Sequence, residues 1–370
     1  MKVLFVLDTL EVGGAERSLL EMIPNFTKVE ALVLHIYKGD TLKASYETAG
    51  IRVISLNLVG PYNFQKAIML VREIIVNEKP DIIHSVLLRS SLICRWIHYW
   101  DGIKHIGSFV NDSYVRERYK VLSFLNRTKL KVFQYLDRFT ASWCNHYVAI
   151  TKTIKQSNAM YLRVPLDKIS VIYRGRNPDN YTNINETLQQ DSFVFINVAR
   201  LIIRKGQSDL IHAFAKVVNK FPDCKLWLVG DGPSRFKYED LISELKLNKS
   251  VFLKGYRDDI PELITSSHCF VMPSHFEGLG GSLIEAMFAS RPIIASNIPV
   301  LAENINEGVN GILFEQGNID QLTSCMEWMY LNRNKAQEMG KRGREIAKNK
   351  FDVRVIAKQY EALYEKLFLQ

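Results

Sequence analysis

Short apolar segments alternate with longer amphipathic segments along the whole chain. In the first half the apolar segments cover residues 2–7, 31–37, 52–56, 81–85, 105–110 and 146–150. In the second half they cover residues 193–198, 225–229, 251–254, 269–272, 292–295 and 311–314. Strands that alternate with helices form parallel sheets, so the pattern predicts an α/β protein with two doubly wound domains.

The segment 174–190 separates the two halves. It is rich in Asn, Asp, Gly and Pro and has no periodic apolar positions, which is typical of a linker. We therefore predict an N-terminal domain over 1–175 and a C-terminal domain over 190–350. A final helix over about 353–370 should pack back on the N-terminal domain. Its apolar positions recur at helical spacing, at Ile356, Tyr360, Leu363, Tyr364 and Leu367.

Composition narrows the class of protein. The 370 residues are 47% hydrophobic, with 20 Gly and 11 Pro, which fits a globular chain and excludes collagen-like, disordered and disulfide-scaffold proteins. The five cysteines are widely spaced and form no CxxC pair, which predicts a reduced compartment and no structural zinc. The apolar stretch 85–100 is interrupted by arginines and is shorter than the roughly 20 residues needed to cross a bilayer. We expect a cytoplasmic protein without a membrane span.

The net charge of +9 is concentrated in the first half of the chain. Residues 1–180 hold 25 basic and 16 acidic residues, whereas residues 181–370 hold 23 of each. The excess of basic over acidic residues in the first half therefore accounts for the whole net charge. Such a basic half indicates an anionic partner, which charge alone does not resolve among nucleic acid, a phosphorylated ligand and a membrane surface.

Much of this charge lies in the stretch 114–143, which interleaves basic and aromatic residues. A basic, aromatic helix is typical of a segment that lies at an anionic membrane surface. A second interpretation is nucleic-acid binding, although no nucleic-acid-binding motif accompanies the stretch. A third is an ordinary amphipathic helix that covers the sheet. The basic residues are Arg116, Arg118, Lys120, Arg127, Lys129, Lys131 and Arg138.

A glycine-rich loop and a helix start follow the apolar segment that ends at Met272. The sequence PSHFEGLGGSLIEAM over 273–287 places Glu277 before the helix and Glu285 one turn into it. Free amides at a helix N-terminus favour phosphate, and glycines allow a ligand to approach the backbone. Ser282 and Glu285 also have the spacing of a capping box, which requires no ligand.

Three further junctions of the same half carry candidate chemistry. Arg200 and Lys205 follow the strand at 193–198, where a guanidinium and an ammonium could bind a diphosphate. The turn Gly230-Asp231-Gly232-Pro233 follows the next strand, and the stretch from Tyr256 to Ile260 follows the one after. Each of these could also be ordinary turn chemistry.

Together the four junctions resemble the donor domain of the retaining, nucleotide-sugar-dependent glycosyltransferases with the GT-B fold, in particular family 4 (glycosyl transferases group 1). Glu277 and Glu285 match the family's two glutamates separated by seven residues, and Arg200 and Lys205 match its Arg and Lys. The N-terminal half is similar through shorter motifs, which are Gly13-Gly14-Ala15-Glu16, Pro80-Asp81-Ile82-Ile83-His84 and Val148-Ala149-Ile150-Thr151. The resemblance covers essentially the whole chain and implies two Rossmann-like domains that face a cleft.

The resemblance also implies roles for these residues. Arg200 and Lys205 would neutralise the donor diphosphate, and Glu285 would bind the ribose hydroxyls. Glu277 would bind hydroxyls of the transferred sugar, with help from backbone amides near Leu279 and Gly280. The glycine turn at Gly230 would be a further donor contact, and Tyr256 and Ile260 would flank the base. Gly13 and Gly14 would leave room for a phosphate or for the acceptor. Fixed cations and helix amides can stabilise a leaving diphosphate without a metal, so we expect no metal and no cofactor.

The chain departs from the family pattern at two places. Many relatives have a histidine where this chain has Asn111, which we interpret as a catalytic-site residue that orients a hydroxyl or a backbone group. His84 and His105 are nearby in the sequence, but a lone histidine at a strand end is more often structural than catalytic. The second departure is Tyr173-Arg174-Gly175-Arg176-Asn177 in place of a Pro-Asn-Gly turn. Arg174 and Arg176 could add cationic character to the cleft edge or be solvated linker charges.

These observations predict a retaining glycosyltransferase of class EC 2.4. It would move a hexosyl group from a nucleoside diphosphate sugar, with UDP as the favoured nucleotide, to a glycan or lipid-linked acceptor in cell-surface polysaccharide biosynthesis. We expect a peripheral protein at the cytoplasmic face of the membrane that binds no nucleic acid. The alternatives are a transferase with a small soluble acceptor and a non-catalytic GT-B partner subunit.

Overall fold

The computed structural model describes residues 1–60, 63–115, 118–119, 122–181 and 192–369. The contacts within the chain divide it into two compact units. Unit 1 comprises Met1–Arg176 and Val353–Gln370, and unit 2 comprises Asn177–Asp352.

Unit 1 is built on one parallel sheet, which has seven strands among the described residues. In order of position the strands run β3-β2-β1-β4-β5-β6-β7, so the order reverses between β1 and β4. Ligands of open α/β sheets bind beyond the carboxyl ends of the strands at such a reversal. The strands are β1 (Lys2–Leu7), β2 (Glu30–Tyr37), β3 (Arg52–Leu58), β4 (Ile82–Ser85), β5 (Lys104–Phe109), β6 (His146–Ala149) and β7 (Ile169–Val171).

Helices cover both faces of this sheet, which explains why its central strands read as continuous apolar runs. From Val3 to Leu7 every side chain of β1 is fully buried. Parallel strands that are covered on both faces need apolar residues at every position. The helices are α1 (Gly14–Met22), α2 (Lys43–Thr48), α3 (Phe64–Glu78), α4 (Leu88–Asp101), α5 (Phe124–Thr140) and α6 (Lys152–Leu162).

Unit 2 contains a second parallel sheet with the order β10-β9-β8-β11-β12-β13, which reverses between β8 and β11. Its strands are β8 (Phe193–Val198), β9 (Cys224–Val229), β10 (Val251–Gly255), β11 (Cys269–Met272), β12 (Ile293–Ser296) and β13 (Gly311–Phe314). Its helices are α7 (Gln207–Lys220), α8 (Arg235–Glu244), α9 (Ile260–Thr265), α10 (Gly281–Phe288), α11 (Pro299–Ala302), α12 (Ile319–Leu331) and α13 (Arg333–Phe351).

The last helix, α14 (Val353–Phe368), returns to unit 1 and completes its core. Its predicted apolar stripe is buried there, and the Tyr364 hydroxyl lies 2.6 Å from His84 Nδ1. The carboxylate of Glu361 accepts hydrogen bonds from the backbone amides of Thr27 and Lys28, both at 2.6 Å. Burial of one large apolar side chain contributes about 1.5–3 kcal/mol, so the stripe is a substantial part of the stability of unit 1.

The doubly wound α/β class predicted from the sequence is confirmed, and the predicted apolar segments coincide with strands to within two residues. The three-residue strand β7 escaped prediction because it is too short to show a pattern. The boundary between the two units, between Arg176 and Asn177, lies inside the predicted linker 174–190. The start of that segment is packed, because Pro178 and Tyr181 are buried and Tyr181 stacks on Phe288 with ring centroids 6.1 Å apart. Residues 182–190 lie outside the described residues.

Candidate functional site

The reversal of strand order in unit 2 brings two loops side by side. Strands β8 and β11 are hydrogen-bonded neighbours, with Cys269 opposite Phe195 and Phe270 opposite Ile196. Because both strands run in the same direction, the loops that leave their carboxyl ends meet at one edge of the sheet. The loop after β8 carries Arg200 and Lys205, and the loop after β11 carries Glu277.

Backbone contacts fasten these two loops to each other. The amide of His275 donates a hydrogen bond to the carbonyl oxygen of Arg204 at 2.9 Å. Gly206 has a left-handed φ of +70°, and a Cβ atom there would lie 2.0 Å from the carbonyl oxygen of Pro273. A residue with a side chain would therefore force the loops apart, so the glycine fixes the distance between them.

A partly buried ion pair joins the side chains of the two loops. Lys205 Nζ lies 2.5 Å from Glu277 Oε1, and the Ser274 hydroxyl donates to the same oxygen at 2.7 Å. Glu277 is only 8% exposed, so the carboxylate needs these partners. Arg200, in contrast, is exposed and has no ion-pair partner among the described residues. At this edge of the sheet the charge of Lys205 is therefore compensated by Glu277, whereas the charge of Arg200 is available to a ligand.

The helix α10 begins directly after the second loop. Its N-cap is Gly280 with φ of +78°, and no side chain caps the helix among the described residues. Ser282 lies inside the helix, so the capping-box interpretation of Ser282 and Glu285 is wrong. Glu285 lies one turn into the helix and is partly buried, and Leu279 is buried beneath the loop. Uncapped amides at this helix start can bind an anion.

The two remaining junctions lie on the same sheet edge. Gly230 has φ of +127°, and a Cβ atom there would lie 2.2 Å from the carbonyl oxygen of Ala199. Its amide donates a hydrogen bond to the carbonyl oxygen of Gly255 at 2.8 Å, which ties the turn after β9 to the end of β10. Beyond Gly255, Tyr256 is 59% exposed, and Ile260 begins α9. Every predicted donor residue of the second half therefore follows the carboxyl end of a strand of the unit 2 sheet.

Sequence reasoning missed a polar cluster that supports the second loop. His275 Nε2 lies 3.0 Å from Asp209 Oδ2, and His275 Nδ1 lies 3.1 Å from Gln316 Nε2. The hydrogen bond and the negative charge of Asp209 raise the pKa of His275 above its ordinary value. His275 stands in the glycine-rich segment itself, but its partners come from α7 and from the turn after β13. Their proximity carries no local sequence signal.

Unit 1 holds Gly13, Gly14 and Asn111. Gly13 is the N-cap of α1, and a Cβ atom there would lie 2.2 Å from Glu16 Oε2. A Cβ atom on Gly14 would lie 3.3 Å from a terminal nitrogen of Arg174. Burial raises the pKa of Glu16, against the lowering effects of backbone hydrogen bonds and of Arg174. Both glycines therefore make room for side chains of this unit.

Asn111 lies two residues beyond β5 in an exposed position. Its side-chain oxygen accepts a hydrogen bond from Ser113, and its carbonyl oxygen accepts one from Asn158 Nδ2 at 3.2 Å. It also lines a cavity of about 60 Å³ at the carboxyl ends of β4 and β5. His84 and His105 are buried, and burial lowers the pKa of His84 to about 3 and that of His105 well below its ordinary value.

Arg176 is buried rather than solvated. Its guanidinium donates to the Ser18 hydroxyl at 3.2 Å and to the carbonyl oxygen of Gly175 at 3.0 Å. The interpretation of Arg176 as a solvated linker charge is therefore wrong. Within the described ranges, no group of three or more His, Cys, Asp or Glu side chains is placed to hold a metal ion. No helix in the same ranges is long and apolar enough to span a bilayer.

Known proteins resemble this chain over nearly its full length. The sequence model of "Glycosyltransferase Family 4" matches residues 12–180, and that of "Glycosyl transferases group 1" matches residues 182–346. The chain is 27% identical to N-acetyl-alpha-D-glucosaminyl L-malate synthase of Bacillus anthracis, over 75% of this chain and 76% of that protein. It is 25% identical to UDP-Gal:alpha-D-GlcNAc-diphosphoundecaprenol alpha-1,3-galactosyltransferase of Escherichia coli, over 78% and 75%.

A solved structure shares the fold. The crystal structure of HepE from Anabaena in complex with UDP superposes with a TM-score of 0.85 at 22% identity, over 99% of this chain and all of that chain. Two consecutive family matches, two doubly wound units and the predicted set of donor residues on one sheet edge lead to the same assignment. The chain is a glycosyltransferase of the GT-B fold and belongs to the family 4, group 1 type.

Proposed function

We propose that this enzyme transfers a sugar from a UDP-sugar to a lipid-linked or glycan acceptor in cell-surface polysaccharide biosynthesis, with retention of anomeric configuration. The observation that carries the proposal is the edge of unit 2 where Lys205, Glu277 and Arg200 lie on adjoining loops beside an uncapped helix start. This arrangement combines two cations with a hydroxyl-binding carboxylate.

The charges of this edge suit the departure of a nucleoside diphosphate. Breaking the bond between the anomeric carbon and the phosphate oxygen leaves the electron pair on the diphosphate. Arg200, Lys205 and the amides at the start of α10 can stabilise that charge without reorganising. In this proposal the cations replace a metal ion, and Glu285 and Glu277 bind ribose and sugar hydroxyls respectively.

Retention requires the acceptor oxygen to attack the face that the diphosphate leaves. The new bond forms between the acceptor oxygen and the anomeric carbon, and the acceptor proton passes to the departing phosphate oxygen. A strong protein base is unnecessary for this step, which is compatible with Asn111 in place of histidine, since an amide cannot accept the proton.

The choice of donor and acceptor rests on the relatives. The galactosyltransferase relative is named for a UDP-Gal donor and a diphosphoundecaprenol-linked acceptor, and the HepE structure contains UDP. The B. anthracis relative is named for L-malate, a small acceptor. The exposed basic and apolar side chains of α5 favour the lipid-linked acceptor for this chain.

We place the enzyme peripherally at the cytoplasmic face of the membrane because of helix α5. Three of its cations, Arg127, Lys129 and Lys131, are exposed. Its acidic residue, Asp137, is buried, and its Oδ1 lies 2.5 Å from Arg95 Nη1. The exposed apolar residues of α5 are Phe124, Leu125, Val132, Tyr135, Leu136 and Phe139. A helix with exposed cations and apolar side chains suits an anionic bilayer surface. Arg116 and Lys120 of the predicted basic stretch lie outside the described residues.

A screen of UDP-, GDP-, ADP- and TDP-sugars tests the donor proposal. The purified enzyme should hydrolyse one of these donors, which is detected as release of the nucleoside diphosphate. This activity should persist in the presence of EDTA. NMR coupling of the anomeric proton in the transferred product tests retention. Loss of activity in EDTA that Mg²⁺ or Mn²⁺ restores would contradict the metal-free part of the proposal.

Liposome co-sedimentation tests the membrane proposal. Wild type should bind vesicles containing phosphatidylglycerol more than phosphatidylcholine vesicles, because each basic residue near an anionic surface contributes about 1 kcal/mol. Changing Arg127, Lys129 and Lys131 to Glu should abolish the difference. A matched control changes the exposed lysines Lys335, Lys341 and Lys348 of α13 to Glu. Equal loss of binding in the control would show that net charge alone governs the interaction.

A further inference from the structure

Arg174 is a partly buried cation with no hydrogen-bond or ion-pair partner among the described residues. Burial lowers its pKa to about 10, an effect to which Arg176 adds and which Tyr360 and Glu16 oppose. The guanidinium nevertheless stays charged at neutral pH. A cation that is partly removed from water and has no hydrogen-bond or ion-pair partner costs free energy, and the nearby charge of Glu16 offsets this cost only in part.

The backbone around Arg174 is shaped to receive it. A Cβ atom on Gly14 would lie 3.3 Å from its terminal nitrogen, so the glycine admits the guanidinium next to the start of α1. The helix start adds partial positive charge at the same place. The acidic group here is Glu16, whose carboxylate is bound by the backbone amides of Ala15 and Glu16. The negative charge of Glu16 is therefore partly neutralised by hydrogen bonds from the start of its own helix.

Arg174 lines a cavity of about 30 Å³ whose other polar groups include the hydroxyls of Ser18, Ser108 and Tyr173. A cavity holds one water in roughly 10–15 Å³, so this one has room for a few non-hydrogen atoms and not for a sugar ring. A guanidinium beside hydroxyl groups can bind the oxygens of a phosphate through charge-assisted hydrogen bonds.

A second cavity adjoins the first and differs from it in charge. The cavity of about 60 Å³ that Asn111 lines shares Val86, Ser108 and Val110 with the cavity at Arg174. Its two charged residues compensate each other, because Arg95 is paired with Asp137. The Nε of Arg95 has no hydrogen-bond partner among the described residues. The first cavity is therefore cationic, and the second is neutral and polar.

We propose that Arg174 binds a phosphate group of the acceptor, and that the adjoining cavity receives hydroxyl or amide groups of the same molecule. This inference rests on the proposed transfer function, for which it names the acceptor class: a sugar or glycan that carries a phosphate or diphosphate. Shared lining at Ser108 allows one ligand to occupy both cavities.

Binding measurements on the full chain test this assignment without turnover. Isothermal titration calorimetry would compare inorganic phosphate, N-acetyl-α-D-glucosamine 1-phosphate, neutral N-acetylglucosamine and UDP. The variants are Arg174→Gln, Arg174→Lys and, as a matched control, Arg163→Gln at an exposed position of unit 1. Arg174→Gln should weaken both phosphate probes about 10- to 100-fold, as expected for loss of a hydrogen-bonded charge. Arg174→Lys should retain part of the affinity, and Arg163→Gln should retain all of it.

Two further readouts separate the explanations. UDP affinity should be unchanged in Arg174→Gln; an equal loss for UDP would assign the phosphate to the donor and overturn the acceptor assignment. Thermal stability should stay the same or rise, because the variant removes a partly buried charge that has no direct partner, whereas a clear decrease would indicate a structural role. Unchanged binding of both phosphate probes would also overturn the proposal. Failure of wild type to hydrolyse any nucleotide sugar would refute the proposed function and leave these binding results unaffected.

Discussion

Two cations, Lys205 in unit 2 and Arg174 in unit 1, are held in different ways. In unit 2, Lys205 lies 2.5 Å from Glu277, and the loops around it are fixed by glycines. In unit 1, Arg174 lies beside Gly14 without a partner among the described residues. A compensated cation can be held ready by the protein itself, which favours preorganised catalysis. A cation without a direct hydrogen-bond or ion-pair partner leaves part of its interaction energy available for a ligand.

The largest expected effect is on the compensated pair. Lys205→Ala should lower the rate of transfer about 10²- to 10³-fold, comparable to the loss of one oxyanion-hole donor. Glu277→Gln should lower it by a similar amount because the carboxylate would no longer bind the sugar. Steady-state assays with the identified donor measure both, and circular dichroism checks the fold. Wild-type rates in both variants would show that this edge is not the donor site.

The glycine contact between the two loops is the next test. Gly206→Ala should lower the free energy of unfolding by about 1–3 kcal/mol more than a control, because its Cβ would overlap Pro273 O. Gly308→Ala is the matched control, since Gly308 also has a left-handed φ, of +73°, but nothing lies within 4 Å of its Cβ position. Urea unfolding of the two variants gives the comparison. Equal destabilisation would mean that the loops can separate freely.

A smaller effect is expected at Asn111 in unit 1. Asn111→Ala should lower transfer by up to about tenfold, because a neutral hydrogen bond contributes roughly 0.5–1.5 kcal/mol. Its effect on donor hydrolysis in the absence of acceptor should be smaller than that of Glu277→Gln. If Asn111→Ala abolished transfer as completely as Glu277→Gln, the amide would have a central catalytic role.

The smallest expected effect is the pH dependence of the second loop of unit 2. Asp209 raises the pKa of His275, so their pair stabilises the fold fully below the ordinary histidine pKa and is lost as pH rises through the raised value. The change should be under about 1 kcal/mol, because both side chains are partly exposed to solvent. Unfolding at pH 6 and pH 8 should show this decrease in wild type and not in Asp209→Asn. Identical profiles would mean that the contact contributes nothing.

Long buried strands and the donor junctions could be predicted from the sequence for physical reasons. Parallel strands covered on both faces need unbroken apolar runs, so strands such as β1 and β8 stand out. Arg200, Lys205 and Glu277 follow such strands, and the carboxyl ends of neighbouring parallel strands must meet. The capping box at Ser282 failed because Gly280 adopts a left-handed conformation that ends the loop earlier than the serine would.

Other features depend on which distant segments meet. Asp209 and Gln316 reach His275 from different elements, and neither position has a local pattern. Arg174 and Arg176 look alike in sequence, as two arginines in one turn. Packing gives Arg176 the Ser18 hydroxyl and the Gly175 carbonyl, while Arg174 has no such bond among the described residues. The sequence therefore does not show that Arg176 is hydrogen-bonded within the fold and that Arg174 is free to bind a ligand; only the packing distinguishes them.

The return of α14 to unit 1 sets an order of assembly during protein synthesis. The ribosome makes all of Asn177–Asp352 before the helix whose Tyr364 ring lies 6.3 Å from that of Phe5. The unit that is begun first is therefore finished last, and we expect part of its core to stay uncovered while the contiguous unit 2 emerges and folds. We expect arrested nascent chains that stop before Val353 to show a protease-sensitive unit 1 and a protected unit 2. Release of the last helix would then complete the older half of the molecule.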